Sequence, residues 1–171
     1  GLGDVYKRQE LSSYTLKDGT EIIVFKIPGD TRYLYHMMPP EFKLNEQEYE
    51  ILDSARTIMA EHKPTKEEYT DPERMRKVFL NVGKDLIEDL VKSKGLRMLQ
   101  EQIKLLAAIL VRYTIGFGLI EVLLQDEKIQ DVSINSPMGH VSMFIVHADY
   151  ADCRTNIIPT PNAVSYTHLT L

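Results

Sequence analysis

Leu119-Ile120-Glu121-Val122-Leu123-Leu124-Gln125-Asp126-Glu127-Lys128-Ile129-Gln130-Asp131-Val132-Ser133-Ile134-Asn135 contains the change of periodicity that sets the fold class. Its first part reads as a short helix over about 119–125. In the second part Val132 and Ile134 alternate with Asp131, Ser133 and Asn135, the period of two expected of a half-buried strand. Ser136-Pro137-Met138-Gly139 is turn chemistry. Residues 141–147 then read as a second strand and 153–158 as a third.

Working back towards the start, residues 14–17 and 20–26 flank Asp18-Gly19, a pair that supplies the positive φ angles of a tight two-residue hairpin turn. Pro28-Gly29-Asp30 breaks the second strand, and 31–36 reads as a third. Pro39-Pro40 ends it, because neither proline can donate to a ladder.

Three helices lie between. Asn45, with Glu48 three residues on, resembles a capping box, and Tyr49, Leu52, Ala55 and Met59 follow on one face. Asp71 is a good N-cap with Pro72 at the first helical position. Met75, Val78, Phe79, Val82, Leu86 and Leu90 form the next stripe, and Gly95 lies just past its end. Leu96, Leu99, Ile103, Leu106, Leu110 and Tyr113 mark the third helix, which stops at Gly116-Phe117-Gly118. The expected fold is therefore α+β: an N-terminal β-hairpin and helical bundle followed by a small, mainly antiparallel sheet unit. The expected subdomains are 10–95 and 96–163, divided near residues 94–96.

The two ends read differently from the rest. Asp4-Val5-Tyr6-Lys7-Arg8-Gln9 can be encoded by a DNA word whose reverse complement, in a shifted frame, encodes Val164-Ser165-Tyr166-Thr167-His168. That word resembles a transposon end used in sequencing-library preparation. Residues 1–9 and 164–171 are thus expected to be translated adapter, and the gene to be cut at both ends.

Composition narrows the function. With 20 basic and 25 acidic residues and a formal net charge of −5, the chain is a poor nonspecific nucleic-acid binder, and a DNA-binding helix pair is disfavoured. One cysteine gives neither a disulfide framework nor a Cys-rich zinc site. The longest apolar run, 105–111, is far too short to span a bilayer, so a cytoplasmic location is expected.

Local catalytic signatures are weak. Gly83-Lys84 has the ending of a phosphate-binding loop, but residue 78 is Val where that loop needs Gly. Asp85 also replaces the Ser or Thr that would hold Mg²⁺. A helical glycine is the reading. Gly116-Phe117-Gly118 is too short for a dinucleotide fingerprint and reads as a helix stop. His36, His62, His140 and His147 lie outside any His-Glu-x-x-His pattern, and Cys153 reads as buried and inert. No catalytic, cofactor-binding or metal-binding residue is assigned within the chain.

In sequence order, however, residues 115–135 are more specific than their parts. The Gly-x-Gly turn, the helix ending in Leu123-Leu124-Gln125-Asp126 and the strand Ile129-Gln130-Asp131-Val132-Ser133-Ile134-Asn135 resemble the lead-in of type II/type IV secretion and pilus- or archaellum-assembly ATPases. Tyr33-Leu34-Tyr35, Pro39-Pro40-Glu41-Phe42-Lys43-Leu44, Asp71-Pro72-Glu73-Arg74-Met75 and residues 144–150 with 155–157 resemble the archaeal branch. Between Gly139 and Phe144 the chain is longer than the family pattern. The resemblance implies the N-terminal region of a homohexameric ring ATPase that docks on its own C-terminal domain, on neighbouring subunits and on a polytopic membrane platform protein. It would lie peripheral to the inner face of the cell membrane. ATP and Mg²⁺ would bind the C-terminal domain of the parent, outside this chain, and the fragment itself would be inactive. In such enzymes N-terminal-domain arginines reach phosphates across the subunit boundary; Arg154 is the residue here with that character, although the family's arginines fall further downstream. The competing expectation is a stand-alone helical protein-interaction module without ATPase activity.

Overall fold

The computed structural model describes residues 9–61, 71–116, 118–134 and 141–159, with the backbone of 166–168. Expectations for His62, His140, Phe117 and the 136–139 turn lie outside the described residues. The fold is α+β, with helices and a six-stranded mixed sheet.

β1 (Gln9–Thr15) and β2 (Glu21–Lys26) form the expected hairpin, with Thr15 opposite Glu21. Its loop is longer than the two-residue turn predicted from Asp18-Gly19. Leu16 N–H donates to Thr20 O at 2.8 Å and Gly19 N–H to Leu16 O at 3.0 Å. Asp18 Oδ1 captures the Thr20 amide at 3.0 Å. Gly19 takes a φ of 90° while Asp18 does not turn positive, so one left-handed residue closes a wider loop. β3 (Tyr33–Met38) starts later than its apolar pattern implies, because the preceding turn takes up Thr31 and Arg32. Asp30 Oδ1 accepts the Arg32 amide at 3.0 Å.

The later strands are β4 (Ile129–Ser133), β5 (Phe144–His147) and β6 (Ala151–Thr155). They do not form a separate sheet, as the sequence predicts, but continue the first one in the order β1-β2-β3-β6-β5-β4. The join is parallel, with Tyr33, Leu34 and Tyr35 beside Cys153, Arg154 and Thr155. The other pairings in this sheet are antiparallel.

The stretch expected as one strand over 153–158 is split at Asn156 into β6 and β7 (Ile157–Pro159), which pairs with β8 (Tyr166–His168). Asn156 is fully buried and its amide imitates a strand. Its Oδ1 accepts from Met37 N and its Nδ2 donates to Met37 O, both at 2.8 Å. One side chain thus completes the β3 ladder where β6 leaves it. Residues 141–143 are not strand. Both backbone groups of Met143 are held by this corner, its N–H donating to Ile157 O at 2.8 Å and its carbonyl accepting from Thr155 N at 3.0 Å.

The chain forms two compact units, one of Gly1–Phe42 with Gly118–Leu171 and one of Lys43–Phe117. This corrects the boundary expected near 94–96. The helical unit comprises α1 (Glu46–Glu61), α2 (Pro72–Ser93) and α3 (Gln100–Thr114), which share one core that includes Ile51, Phe79, Ile87, Ile103, Leu106 and Leu110. The sequence signals for the first two helix starts hold. Asn45 Oδ1 accepts from Glu48 N at 2.8 Å, and Glu48 reaches back to Asn45 N at 3.2 Å. Asp71 caps α2 through Glu73 N at 3.0 Å.

The predicted stripes are partly rotated. Tyr49, Val82 and Leu99 are exposed. The buried row of α2 is Phe79, Gly83, Ile87 and Val91, spaced by four residues. A Cβ on Gly83 would stand 3.2 Å from Leu110 Cδ2, so Leu110 of α3 packs against a position with no side chain. A pattern that counts only apolar residues reads that row as interrupted.

α2 ends in a full Schellman motif. Leu96 N–H donates to Val91 O at 3.0 Å and Gly95 N–H to Lys92 O at 3.1 Å, with Gly95 at φ 66°. This turns the chain so that α3 packs on α2 instead of opening a new domain. α3 itself begins at Gln100, where Gln102 Oε1 accepts the Leu99 amide at 2.8 Å.

Nothing lies within 4 Å of a Cβ added to Gly95, so substitution there reads backbone strain alone. Gly95→Ala should lower stability by about 1 kcal/mol, measured by urea unfolding followed by circular dichroism. An unchanged midpoint would show that the left-handed turn does not hold the helical unit together.

Candidate functional site

Among the described residues of the sheet-bearing unit, Tyr14, Tyr35, Asp126 and His147 form a polar cluster in its interior. The sequence places its components by simple rules. Tyr14 stands opposite Ile22, Val24 opposite Tyr35, Tyr35 beside Thr155 and Ile145 opposite Cys153. Directly paired residues share a face, and so do residues two apart. Tyr14, Tyr35 and His147 therefore emerge on one face of the sheet. In a flat sheet β1 and β5 would be four strand spacings apart, roughly 19 Å. The Tyr14 and His147 ring centroids are 6.3 Å apart. The sheet must curl, with this face concave.

Asp126 enters the concavity from the turn after α4 (Leu119–Leu124), a short helix with Leu119, Val122 and Leu123 buried. Gly118 starts it at φ 62° and ψ −134°, a conformation that is essentially glycine's. Of the glycines read as a helix stop, Gly116 N–H closes α3 on Val111 O at 3.1 Å, and Gly118 instead opens the next helix. Asp126 is 4% exposed. Its Oδ2 accepts from Tyr14 Oη at 2.5 Å and Tyr35 Oη at 2.7 Å, and its Oδ1 from Lys128 N at 2.9 Å.

His147, 2% exposed, joins through its Nε2, 3.0 Å from Tyr14 Oη. Its Nδ1 accepts the Asp149 amide at 3.1 Å. The Tyr150 ring lies tilted beside it, centroids 5.1 Å apart, and the Tyr33 ring tilted beside Tyr150 at 5.4 Å. In the adjoining turn, Ala148 N–H donates to Lys128 O at 2.7 Å and Lys128 Nζ meets Asp149 at 3.1 Å.

Burial, with the Asp126 carboxylate next, holds both tyrosine hydroxyls well above their usual range, so they stay protonated and donate. Burial also holds His147 below the ordinary histidine range, against the pull of Asp126 and Asp149. Burial, and then Asp152, pushes the Cys153 thiol up to about 11, so it is not a thiolate nucleophile at neutral pH. The cluster is a hydrogen-bond node centred on Asp126.

No protein-family model matches the chain, and no curated protein matches it.

The sequence candidates fall in separate places. His36 lies on β3 with its ring edge-on to Phe25 at 6.2 Å, one residue out of phase with Tyr35. Lys84 is within α2, 4.0 Å from Glu88, and the surrounding amides are spent on the helix, so no phosphate cradle forms there. Arg154 Nη2 pairs with Asp30 at 3.2 Å at the surface, and the Arg32 guanidinium sits 4.7 Å from the Phe144 ring centroid. The Arg32 amide, and then the nearby Arg154 and Arg32 charges, hold Asp30 below its usual range. Among the described residues no group of three or more His, Cys, Asp or Glu is arranged to hold a metal ion.

Of the node, sequence singles out His147 as a candidate base or ligand, and Tyr35 and Asp126 only as members of the motifs that carry the family resemblance. Nothing local announces that these residues meet one another and Tyr14, because their bonds join residues 91 to 133 positions apart. Asp126→Ala leaves three donors without their acceptor and should cost roughly 3 kcal/mol or more, whereas Tyr35→Phe removes one of three and should cost about 1 kcal/mol. Chemical denaturation of the two variants checks the order, and equal effects would refute a shared acceptor.

Proposed function

We propose that this chain is the N-terminal, non-catalytic region of a type II/type IV secretion or pilus/archaellum-assembly ATPase. In this role it packs against its own C-terminal ATPase domain and neighbouring subunits of a homohexamer, and docks on a polytopic membrane platform protein. The observation that carries the reading is the succession along residues 115–135 of a Gly-x-Gly sequence, a short helix ending at Leu124, Asp126 in the turn after it, and a strand starting at Ile129. The positive φ of Gly118 and the buried position of Asp126 give that motif a physical reason.

Lys84 is helical, and nucleotide and Mg²⁺ would bind a domain beyond these residues, with domain motion as the output. No helix among the described residues is long and apolar enough to cross a membrane. The competing reading, a stand-alone helical interaction module, draws on the separate core shared by α1, α2 and α3.

Sequencing the source gene beyond codon 163 separates the two. An in-frame Gly-x-x-x-x-Gly-Lys-Ser/Thr on a strand-to-helix turn is the expected result, and a stop codon would favour the interaction module. Calorimetric titration of the chain with Mg-ATP should show no saturable binding; a saturable isotherm would place a nucleotide site here and sink the non-catalytic assignment.

A further inference from the structure

We infer that His147 is a proton-operated latch: on gaining a second ring proton it lets go of the Asp149 amide and frees the turn between β5 and β6. The argument starts from donors and acceptors. The Asp149 backbone N–H can only donate, so the Nδ1 it faces at 3.1 Å must be bare. The Tyr14 hydroxyl has one proton, and at 2.5 Å that proton belongs to the bond with Asp126 Oδ2. Its oxygen can then only accept from His147, so Nε2 carries the hydrogen. The neutral Nε2–H tautomer is the one state of the ring that makes every bond in the node.

A proton added at Nδ1 would point at another donor. The contact changes from a hydrogen bond to a donor–donor clash, and the ring or the turn must move. The groups facing His147 from each neighbouring element set the balance. Tyr14 from β1 and Tyr35 from β3 stay protonated and neutral. Asp126, from the turn after α4, attracts the imidazolium and Lys128, from the same turn, repels it. Asp149 and Tyr150 come from its own turn, and Asp149 attracts. Burial outweighs these attractions, so the folded protein takes up this proton less readily than the unfolded chain. The node's contribution is therefore complete above about pH 6.5 and is lost as pH falls through that value towards the lower folded-state pKa.

The turn is built to respond. Three links hold it: Ala148 N–H to Lys128 O, Asp149 N–H to His147 Nδ1, and the Lys128–Asp149 ion pair. The next residue, Ala151, is held at a φ of 56°, which disfavours a residue with a Cβ. Protonation removes the middle link. The Asp149 carboxylate, half-exposed on its ion pair with Lys128, is the acceptor within the same turn that can take the new Nδ1–H. Doing so gives up the third link.

Amide hydrogen exchange on the whole chain tests this. After correction for intrinsic exchange, protection of the Asp149 amide should fall at least about tenfold from about pH 7.5 to about pH 5. The Thr155 amide, bonded to Met143 O away from the turn, should keep its protection. His147→Gln retains an acceptor for Asp149 and a donor for Tyr14 without a titrating proton, so its Asp149 protection should not depend on pH. Constant protection in the wild type, or an equal fall in His147→Gln, overturns the latch. Imidazole ¹⁵N shifts of the wild-type chain give a second reading that needs no variant. The Nε2–H tautomer at about pH 7.5 is expected, and an Nδ1–H tautomer refutes the mechanism.

Discussion

The sheet-bearing unit depends on where it puts one buried carboxylate. A carboxylate removed from water is costly unless every lone-pair direction that matters is answered. Asp126 is answered by two tyrosine hydroxyls and one backbone amide, from β1, β3 and its own turn. Satisfying it requires Tyr14 from β1 and Tyr35 from β3 to converge on one oxygen, and the Tyr14–His147 bond then requires β1 and β5 to approach across the sheet's concave face, so the curvature and the polar node are two descriptions of one constraint. A flatter sheet would leave Tyr14 and His147 too far apart to share a bond, and the carboxylate short of a donor. Unlike apolar packing, which tolerates many arrangements of similar volume, this arrangement accepts one.

The same unit has to close over a long insertion. β3 ends at Met38 and its parallel neighbour β6 begins at Ala151, with the helical unit between them in sequence. A parallel pair needs a crossover, and here the crossover contains a second core. Asn156 makes this junction tolerant of a short β6. By offering both halves of an amide to Met37 it supplies, from a side chain, the ladder bonds that a longer strand would have given.

Local chemistry was readable from sequence and distant pairing was not. The caps at Asn45 and Asp71, the glycine ending α2, the helical place of Gly83 and the switch from helix to strand near 125–129 each follow from a few adjacent residues, and each is where its chemistry puts it. Errors arise where a distant partner decides. Val82 looks like core and is exposed because the helix turns its glycine row inward. The sheet looks like two pieces because nothing between Met38 and Ala151 announces that β3 and β6 lie side by side. The node is the extreme case. Two tyrosines in alternating strands and an aspartate after a helix are ordinary residues in ordinary places, and His147 lacks the neighbours in sequence that mark a ligand or base.

Why such a node is present in place of apolar side chains is a question of register. Strand side chains alternate, so a one-residue slip of β1 along β2 would send Tyr14 to the opposite face of the sheet. β1 has an irregularity between Glu10 and Ser12, and much of it is exposed, so hydrophobic patterning alone fixes its position weakly. A slipped β1 would still pair its backbone, but it would leave Asp126 short of a donor and the His147 Nε2–H without an acceptor. An apolar contact would penalise that slip by a fraction of its buried area, whereas here the slip takes one of three donors from a buried carboxylate and leaves the His147 N–H unpaired, each a desolvation penalty with no compensating bond. The polar node thus makes the wrong registers expensive, and the edge strand is held in place by a bond made at the far side of the sheet.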